Sequence, residues 1–146
     1  GAKRVGLLTE EDGYASDEVG KAIYAQWCAD NSIEPLIARG DYSRSNLDSA
    51  VRSLIDDGAD AIFSYYEEGP AIHRYLNRAG AGADADVEFI ALCLEDCDEN
   101  SRLGVSHICV RPEQAPDFAL DQVLAMVGNT SAQSTTVELP VAVHIH

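Results

Sequence analysis

Carboxylates and tyrosines cluster in three segments of the sequence, each directly after a run of apolar residues. The segments are Glu10-Glu11-Asp12-Gly13-Tyr14, Tyr65-Tyr66-Glu67-Glu68, and Leu94-Glu95-Asp96 with Asp98-Glu99. Carboxylates accept strong hydrogen bonds from hydroxyl and ammonium groups, and tyrosine rings offer flat apolar faces. Brought together, the segments would suit a polyol, a nucleoside-like molecule or a cation. Each segment alone is also typical of a solvated loop in an acidic protein.

The elements that must position these segments alternate along the chain. The predicted strands are Arg4–Thr9, Pro35–Ala38, Ala59–Ser64, Val87–Leu92, Val105–Val110 and Thr136–Val143. The predicted helices run from Ser16, from about Ser45 to Gly58, from Pro70 to Gly80, and over Ala115–Val127. Strands that alternate with helices form parallel sheets through right-handed crossovers. The sequence therefore predicts a single α/β domain over residues 1–146, a doubly wound parallel sheet of five or six strands flanked by helices.

Ligands of doubly wound sheets bind at the carboxyl ends of the strands, and all three acidic segments follow strands. We therefore expect them to meet at one edge.

In the first helix, apolar residues recur at helical spacing at Val19, Ile23, Trp27 and Cys28. In the third, Ile72, Tyr75 and Leu76 supply apolar area, and we expect this helix and its surroundings to be a self-association surface, although one face of the helix must also cover the sheet.

The net charge of −15 limits the partners of this chain. Such a surface repels nucleic acid, because DNA affinity comes largely from cations that neutralise phosphates. We therefore expect the chain alone not to bind DNA. No apolar run approaches the ~20 residues that span a bilayer, and no signal peptide is visible, so no membrane partner is expected.

The four cysteines are expected to be largely free thiols, which favours the cytoplasm. Cys28 and Cys109 lie in apolar patterns and are predicted to be small buried residues. Cys93 and Cys97 are close enough in sequence to pair, and the sequence leaves this open.

Catalysis finds little support in the motifs. No glycine-rich phosphate loop and no serine flanked by glycines occurs after a strand, so neither catalytic residues nor a cofactor are predicted. A phosphate-accepting receiver domain needs an Asp after the third strand and a Lys after the fifth. Those strands end in Ser64-Tyr65 and Val110-Arg111. His144 and His146 can share one face of a strand, but at this point of the chain we interpret them as a chance pair and predict no metal site.

Several segments, in order, resemble the C-terminal half of the effector-binding domain of the lactose repressor (LacI/GalR) family. They are Arg4-Val5-Gly6-Leu7-Leu8, Ser16, Asn31-Ser32-Ile33-Glu34-Pro35, Gly40-Asp41-Tyr42-Ser43, Ala61-Ile62-Phe63, Val105-Ser106-His107-Ile108 with Pro112, and Glu138-Leu139-Pro140-Val141. The resemblance implies a type 1 periplasmic-binding-protein-like subdomain with three α/β/α layers. It also implies a homodimer whose operator DNA is bound only through an N-terminal headpiece that, with the N-terminal subdomain, lies outside this chain.

The loops at the carboxyl edge predict one half of an effector cleft at Tyr14, Ser16, Tyr66, Glu67 and Glu95. Ser16 and Glu95 also lie at positions similar to effector contacts in the family. An arginine that grips the effector in this family is replaced by Gly20, and the adjacent Lys21 is expected to point away. The half-site should therefore disfavour anions and favour neutral polyols or cations.

The predicted function is that of a ligand-sensing domain, which binds a small polar effector and modulates DNA binding by the full-length transcription regulator. A periplasmic sugar-binding protein of an ABC transporter is the alternative, since it shares the fold. A doubly wound enzyme or a receiver domain is a weaker alternative.

Overall fold

The computed structural model of the chain describes residues 3–10, 15–40, 44–65, 69–78, 87–93, 97–110, 115–127 and 141–146. Its strands are β1 (Val5–Glu10), β2 (Leu36–Gly40), β3 (Ala61–Ser64), β4 (Glu88–Cys93), β5 (Ser106–Val110) and β6 (Val141–His144). Its helices are α1 (Ala15–Asp30), α2 (Arg44–Asp56), α3 (Gly69–Arg78), α4 (Cys97–Leu103) and α5 (Ala115–Met126). Within those ranges, none of the helices has the length and apolar character needed to cross a membrane.

The strands form one sheet in the order β2-β1-β3-β4-β5-β6. The first five strands are parallel, which confirms the predicted α/β class, and β6 runs antiparallel to β5. The direction of β6 was not predicted, because apolar alternation reports which residues are buried and not which way a strand runs. An antiparallel edge strand on a parallel sheet is common in this class.

The main core lies between one face of the sheet and helices α2 and α3. Its buried members are Leu8, Ala38, Leu47, Ala50, Val51, Leu54, Ala59, Ile62, Ile72 and Leu76. Ile72 and Leu76 are therefore core residues, and their apolar area is not available at the surface. Ile72 and Leu76 therefore cannot supply the apolar contact area expected of α3, and self-association through this helix and its surroundings stays a prediction.

Helix α1 lies on the opposite face of the sheet. Leu7 alternates with the core residue Leu8 along β1 and lines a groove with α1. The helix is tied to the sheet by the Tyr24 hydroxyl, which donates to the carbonyl of Val5 at 2.6 Å and accepts from the Leu36 amide at 3.0 Å. Burial raises the pKa of Tyr24 to about 12.

The apolar stripe of α1 is exposed. Ile23 is 66% exposed, and Val19 and Trp27 also face outward, whereas Cys28 is buried as predicted. Asp17 and Lys21 are buried with Cys28, because the stripe that contains them faces the sheet. The spacing of apolar residues identified this stripe, but it did not show that the stripe faces solvent.

Helix α4 was not predicted, because seven residues with five polar side chains give no apolar period. Two local signals explain why it forms. Asp98 and Glu99 place negative charge in the first turn, where the helix dipole favours it. Gly104 follows the helix with a φ of +70°, the left-handed conformation that ends helices. The Arg74–Glu99 ion pair, at 3.0 Å, joins α4 to α3.

The cysteines differ partly from expectation. Cys28 and Cys93 keep their thiols, so no disulfide joins Cys93 to Cys97. Cys109 is buried as predicted, but it is disulfide-bonded and not a free thiol. Because disulfides are rare in cytosolic proteins, the cysteines do not support the expected location.

Candidate functional site

The carboxyl ends of the five parallel strands meet at one edge of the sheet. The register pairs Glu10 with Gly40 where β1 and β2 end, and Cys93 with Cys109 near the ends of β4 and β5. Strands β1, β3 and β4 lead directly into the three acidic segments of the sequence. The topology is thus the one that the sequence analysis required for a common site at this edge.

Of the predicted effector contacts, Ser16 lies within the described part of the chain, in the first turn of α1 with its side chain exposed. Tyr14, Tyr66, Glu67 and Glu95 lie outside the described residues. Their roles as effector contacts therefore stay predictions. Ser16 lies at the carboxyl edge, where the site was predicted, but its position does not test the other four.

The charges at the start of α1 differ from expectation. Lys21 was expected to point away from the site, but it is buried, with 9% of its surface exposed. Its ammonium group forms an ion pair with Glu18. The hydrogen bond from Lys21 holds the pKa of the Glu18 carboxyl below its usual value, and Arg39 adds a smaller favourable charge. This end of the edge carries balanced charges, so repulsion of anions is weaker than Gly20 alone implied.

Tyr65 is a residue of this edge that the site prediction left out. Its amide donates to the carbonyl of Leu8 at 2.9 Å, which continues the β1–β3 pairing beyond the end of β3. Its ring lies against α1, where a Cβ on Gly20 would come within 3.2 Å of Tyr65 Cε2. The signal for this contact was present in the sequence: a glycine inside a helix often marks a close approach.

Two buried polar atoms near the edge have no hydrogen-bond partner among the described residues. They are Thr9 Oγ1, close to the end of β1, and Asn100 Oδ1, on α4. Asn100 Oδ1 lies where a Cβ on Gly69 would come within 2.7 Å, so glycine at the start of α3 allows the two helices to approach. Both atoms are closed off from solvent.

An apolar groove of about 350 Å³ runs beside α1 on the face of the sheet opposite the main core. It is lined by Leu7, Val19, Gly20, Ile23, Tyr24, Trp27, Phe63 and Tyr65. Tyr65 therefore belongs both to the carboxyl edge and to this groove. Any movement of its ring changes both surfaces.

No protein-family model matches the chain, and no curated protein matches it. Solved structures do. The Lac repressor dimer bound to operator and the anti-inducer ONPF matches with a TM-score of 0.76, 17% identity, and coverage of 98% of this chain and 44% of that one. A sugar-binding transcriptional regulator of the LacI family from Escherichia coli, complexed with phosphate, matches with a TM-score of 0.74, 15% identity and coverage of 99% and 54%. The transcriptional regulator CelR in complex with cellobiose matches with a TM-score of 0.70, 16% identity, and coverage of 99% of this chain and 46% of that one.

These likenesses establish the fold of the chain, which is that of one part of the LacI-type regulators. Nearly all of this chain is covered, and it spans about half the length of the proteins that it matches. The family resemblance found in the sequence segments is thus matched by the fold.

Proposed function

We propose that the chain is the C-terminal half of the effector-binding domain of a LacI-type transcription regulator. The observation that carries the proposal is the fold match over 98–99% of this chain with regulators of that type. The ordered sequence segments support it independently. The three matched structures described above are transcription regulators, so we take this function over that of a transport binding protein or an enzyme.

The effector is a small polar molecule that binds at the carboxyl edge, between this half and the N-terminal subdomain. Ser16, Tyr14, Tyr66, Glu67 and Glu95 contribute this half of the cleft. The balanced charges of Lys21 and Glu18 favour a neutral polyol or sugar-like effector. Binding that closes the two subdomains shifts the population of the DNA-binding conformation.

The full-length protein acts in the cytoplasm as a homodimer and binds operator DNA through a basic headpiece outside this chain. The net charge of −15 supports DNA binding by a separate headpiece, because a chain with this charge does not attract the phosphates of DNA. Of the described surfaces, the exposed apolar stripe of α1 is better suited than α3 to contact another subunit or subdomain.

The experiment is to express the full-length protein as its gene encodes it and to select bound DNA from a random oligonucleotide pool. Neutral sugars and polyols are then added, and the affinity for the selected DNA is measured at fixed salt. We expect sequence-specific binding that one class of these molecules changes by at least about tenfold, since coupling free energies are ~1–3 kcal/mol.

The matched control is the present chain alone, which we expect to give no gel shift at moderate salt. Failure of the full-length protein to bind any DNA would overturn the proposal. A secretory signal ahead of the domain would favour the transport alternative.

A further inference from the structure

His107 is a buried side chain with one ring nitrogen left without a partner. It lies on β5 with none of its surface exposed. Its Nδ1 lies 2.7 Å from the carbonyl oxygen of Val105. Because a carbonyl only accepts, Nδ1 carries a proton, so in the neutral ring Nε2 is the nitrogen with the lone pair. Among the described residues, no donor reaches Nε2.

The neighbours of His107 are histidines. The antiparallel register pairs His107 with His144 on β6, and their ring centroids are 4.7 Å apart. The ring of His146, two residues further along the same side, lies 6.0 Å from that of His107. The amide of His146 donates to the Ser106 hydroxyl at 3.1 Å, which holds this end of the chain beside β5.

We propose that His107, His144 and His146 form a binding site for a late first-row divalent metal ion, with Zn²⁺ as the reference ion. Neutral imidazole is a preferred ligand of Zn²⁺, and three histidines with a water are sufficient for four-coordination. The metal would satisfy the buried lone pair of His107 Nε2. The chance pairing that the sequence suggested for His144 and His146 is replaced by a site that also includes a buried histidine from the neighbouring strand.

For His107 and His144 the geometry is close to what coordination requires, and His146, whose ring centroid lies 6.0 Å from that of His107, must approach by rotation of its side chain. Two nitrogens bound to one Zn²⁺ are at most ~4.2 Å apart, since each Zn–N bond is ~2.1 Å. Ligand atoms of His107, Cys109 and His144 already lie within 4.8 Å of one another. The rings of His107 and His144 are stacked, with an interplanar angle of 12°, so binding turns the half-buried His144 ring toward the fixed ring of His107.

The hydrogen bond from His107 to Val105 is the outer contact that metal-binding histidines commonly make. It fixes the tautomer and the ring orientation, so no reorganisation of His107 is needed. Cys109 lies in the same group, but its sulfur is disulfide-bonded. A thiolate is the form of cysteine that binds metal, so the site rests on the imidazoles alone.

The site would join β5 to β6, the antiparallel edge strand. The net charge of −15 raises the local concentration of cations around the whole chain, but this attraction does not depend on the histidines. A specific site and a diffuse acidic surface therefore give different results in variants.

The test uses the chain after treatment with a chelator, without thiol reductants, and titrates Zn²⁺ alone by calorimetry in a non-coordinating buffer. We expect one ion per chain and a rise in the melting temperature on binding. His144→Ala should weaken binding by at least about tenfold, on the scale of what even outer contacts of metal ligands contribute. His107→Asn, whose amide nitrogen can still donate to Val105 but which lacks Nε2, should have the same effect.

The control is Asp30→Asn, which removes one acidic group at the exposed end of α1, where Gln26 Nε2 donates to Asp30 Oδ1 at 2.8 Å. It should leave stoichiometry and affinity unchanged. Circular dichroism verifies that each variant folds. If His107→Asn does not fold, His144→Ala alone decides the outcome. Equal Zn²⁺ affinity in His144→Ala and the unsubstituted chain, or weak binding of several ions that survives this substitution, would overturn the proposal.

Discussion

The ring of Tyr65 occupies the space into which a side chain at Gly20 would extend. A Cβ on Gly20 would lie 3.2 Å from Tyr65 Cε2 and 3.3 Å from Cζ, closer than ordinary van der Waals contact. In the family that the sequence resembles, an arginine stands at the position of Gly20. A side chain at position 20, such as the arginine that the resemblance implies for the family, cannot share this space with the Tyr65 ring in its present position.

We expect Gly20→Val to destabilise the chain, because the added methyl groups must displace the Tyr65 ring. Overpacking of this kind costs ~1–3 kcal/mol, which exceeds the gain of less than ~1 kcal/mol in helix propensity. Urea denaturation measures the change. In a Tyr65→Ala background the cost should largely disappear, and the exposed Ala22→Val control should show only the helix-propensity cost of less than ~0.7 kcal/mol. A full cost that persists without Tyr65 would show that the contact is not its cause.

A pair of isoleucine-to-alanine substitutions tests which helix faces are covered. Ile72 is 0% exposed on α3, so Ile72→Ala should lower the free energy of unfolding by ~2–5 kcal/mol. Ile23 is 66% exposed on α1, so the same change there should fall within ~0.5 kcal/mol in the isolated chain. Chemical denaturation of both variants gives the comparison. Similar costs at the two positions would mean that α1 buries its apolar stripe in solution.

Tyr24 should make the stability of the chain decrease at alkaline pH. Its pKa is about 12 in the folded chain, against 10.0 for a free tyrosine. A raised pKa means that the unfolded state loses the proton first, so its stabilisation is complete below pH 10 and is lost as the pH rises toward 12. Tyr24→Phe should cost ~1–2 kcal/mol at neutral pH through its lost hydrogen bonds and should flatten this decline. Tyr75→Phe, which removes a hydroxyl elsewhere, should leave the decline in place.

The effector site is tested by Glu95→Ala in the full-length protein. Loss of one charge-assisted hydrogen bond of ~1–3 kcal/mol should weaken the effector response by about tenfold or more. Glu88→Ala is the control, since Glu88 begins β4 at the amino end and lies at the opposite edge of the sheet. The measurement is the effector concentration that half-shifts DNA affinity. Equal responses in the two variants would remove Glu95 from the site.

The order of the elements was predictable because each carries a local signal. The predicted bounds of β1 to β5 agree with the structure to within one or two residues. The second helix was predicted to end at Gly58, and Gly58 follows α2 with a φ of +88°, the left-handed conformation that ends helices. Helix α4 was missed because its stability comes from end effects and contacts with α3, which leave no periodic pattern.

The orientation of side chains was less predictable, because it depends on what lies against each helix. Lys21 is buried because its long apolar stem can pack while its ammonium group meets Glu18, an outcome that residue type alone does not indicate. The stripe through Ile23 is exposed although its spacing is that of a core-facing helix. The edge of the sheet that carries the predicted site could be derived from the alternation of strands and helices. The contact between Gly20 and Tyr65 could not, because it depends on how closely α1 approaches the end of β3.

The place of β6 at the end of the sheet determines how the domain opens. None of the residues of the main core cluster belongs to β6, and its sheet partner is β5, so it can detach while the five parallel strands stay intact. Local openings of this kind require less free energy than global unfolding. In deuterated solvent, the amides of β6 would therefore exchange well before those of β1, which pairs on both sides. Strand β6 can therefore separate from the sheet on its own. The rate at which its amide hydrogens exchange reports how often His144 moves away from His107.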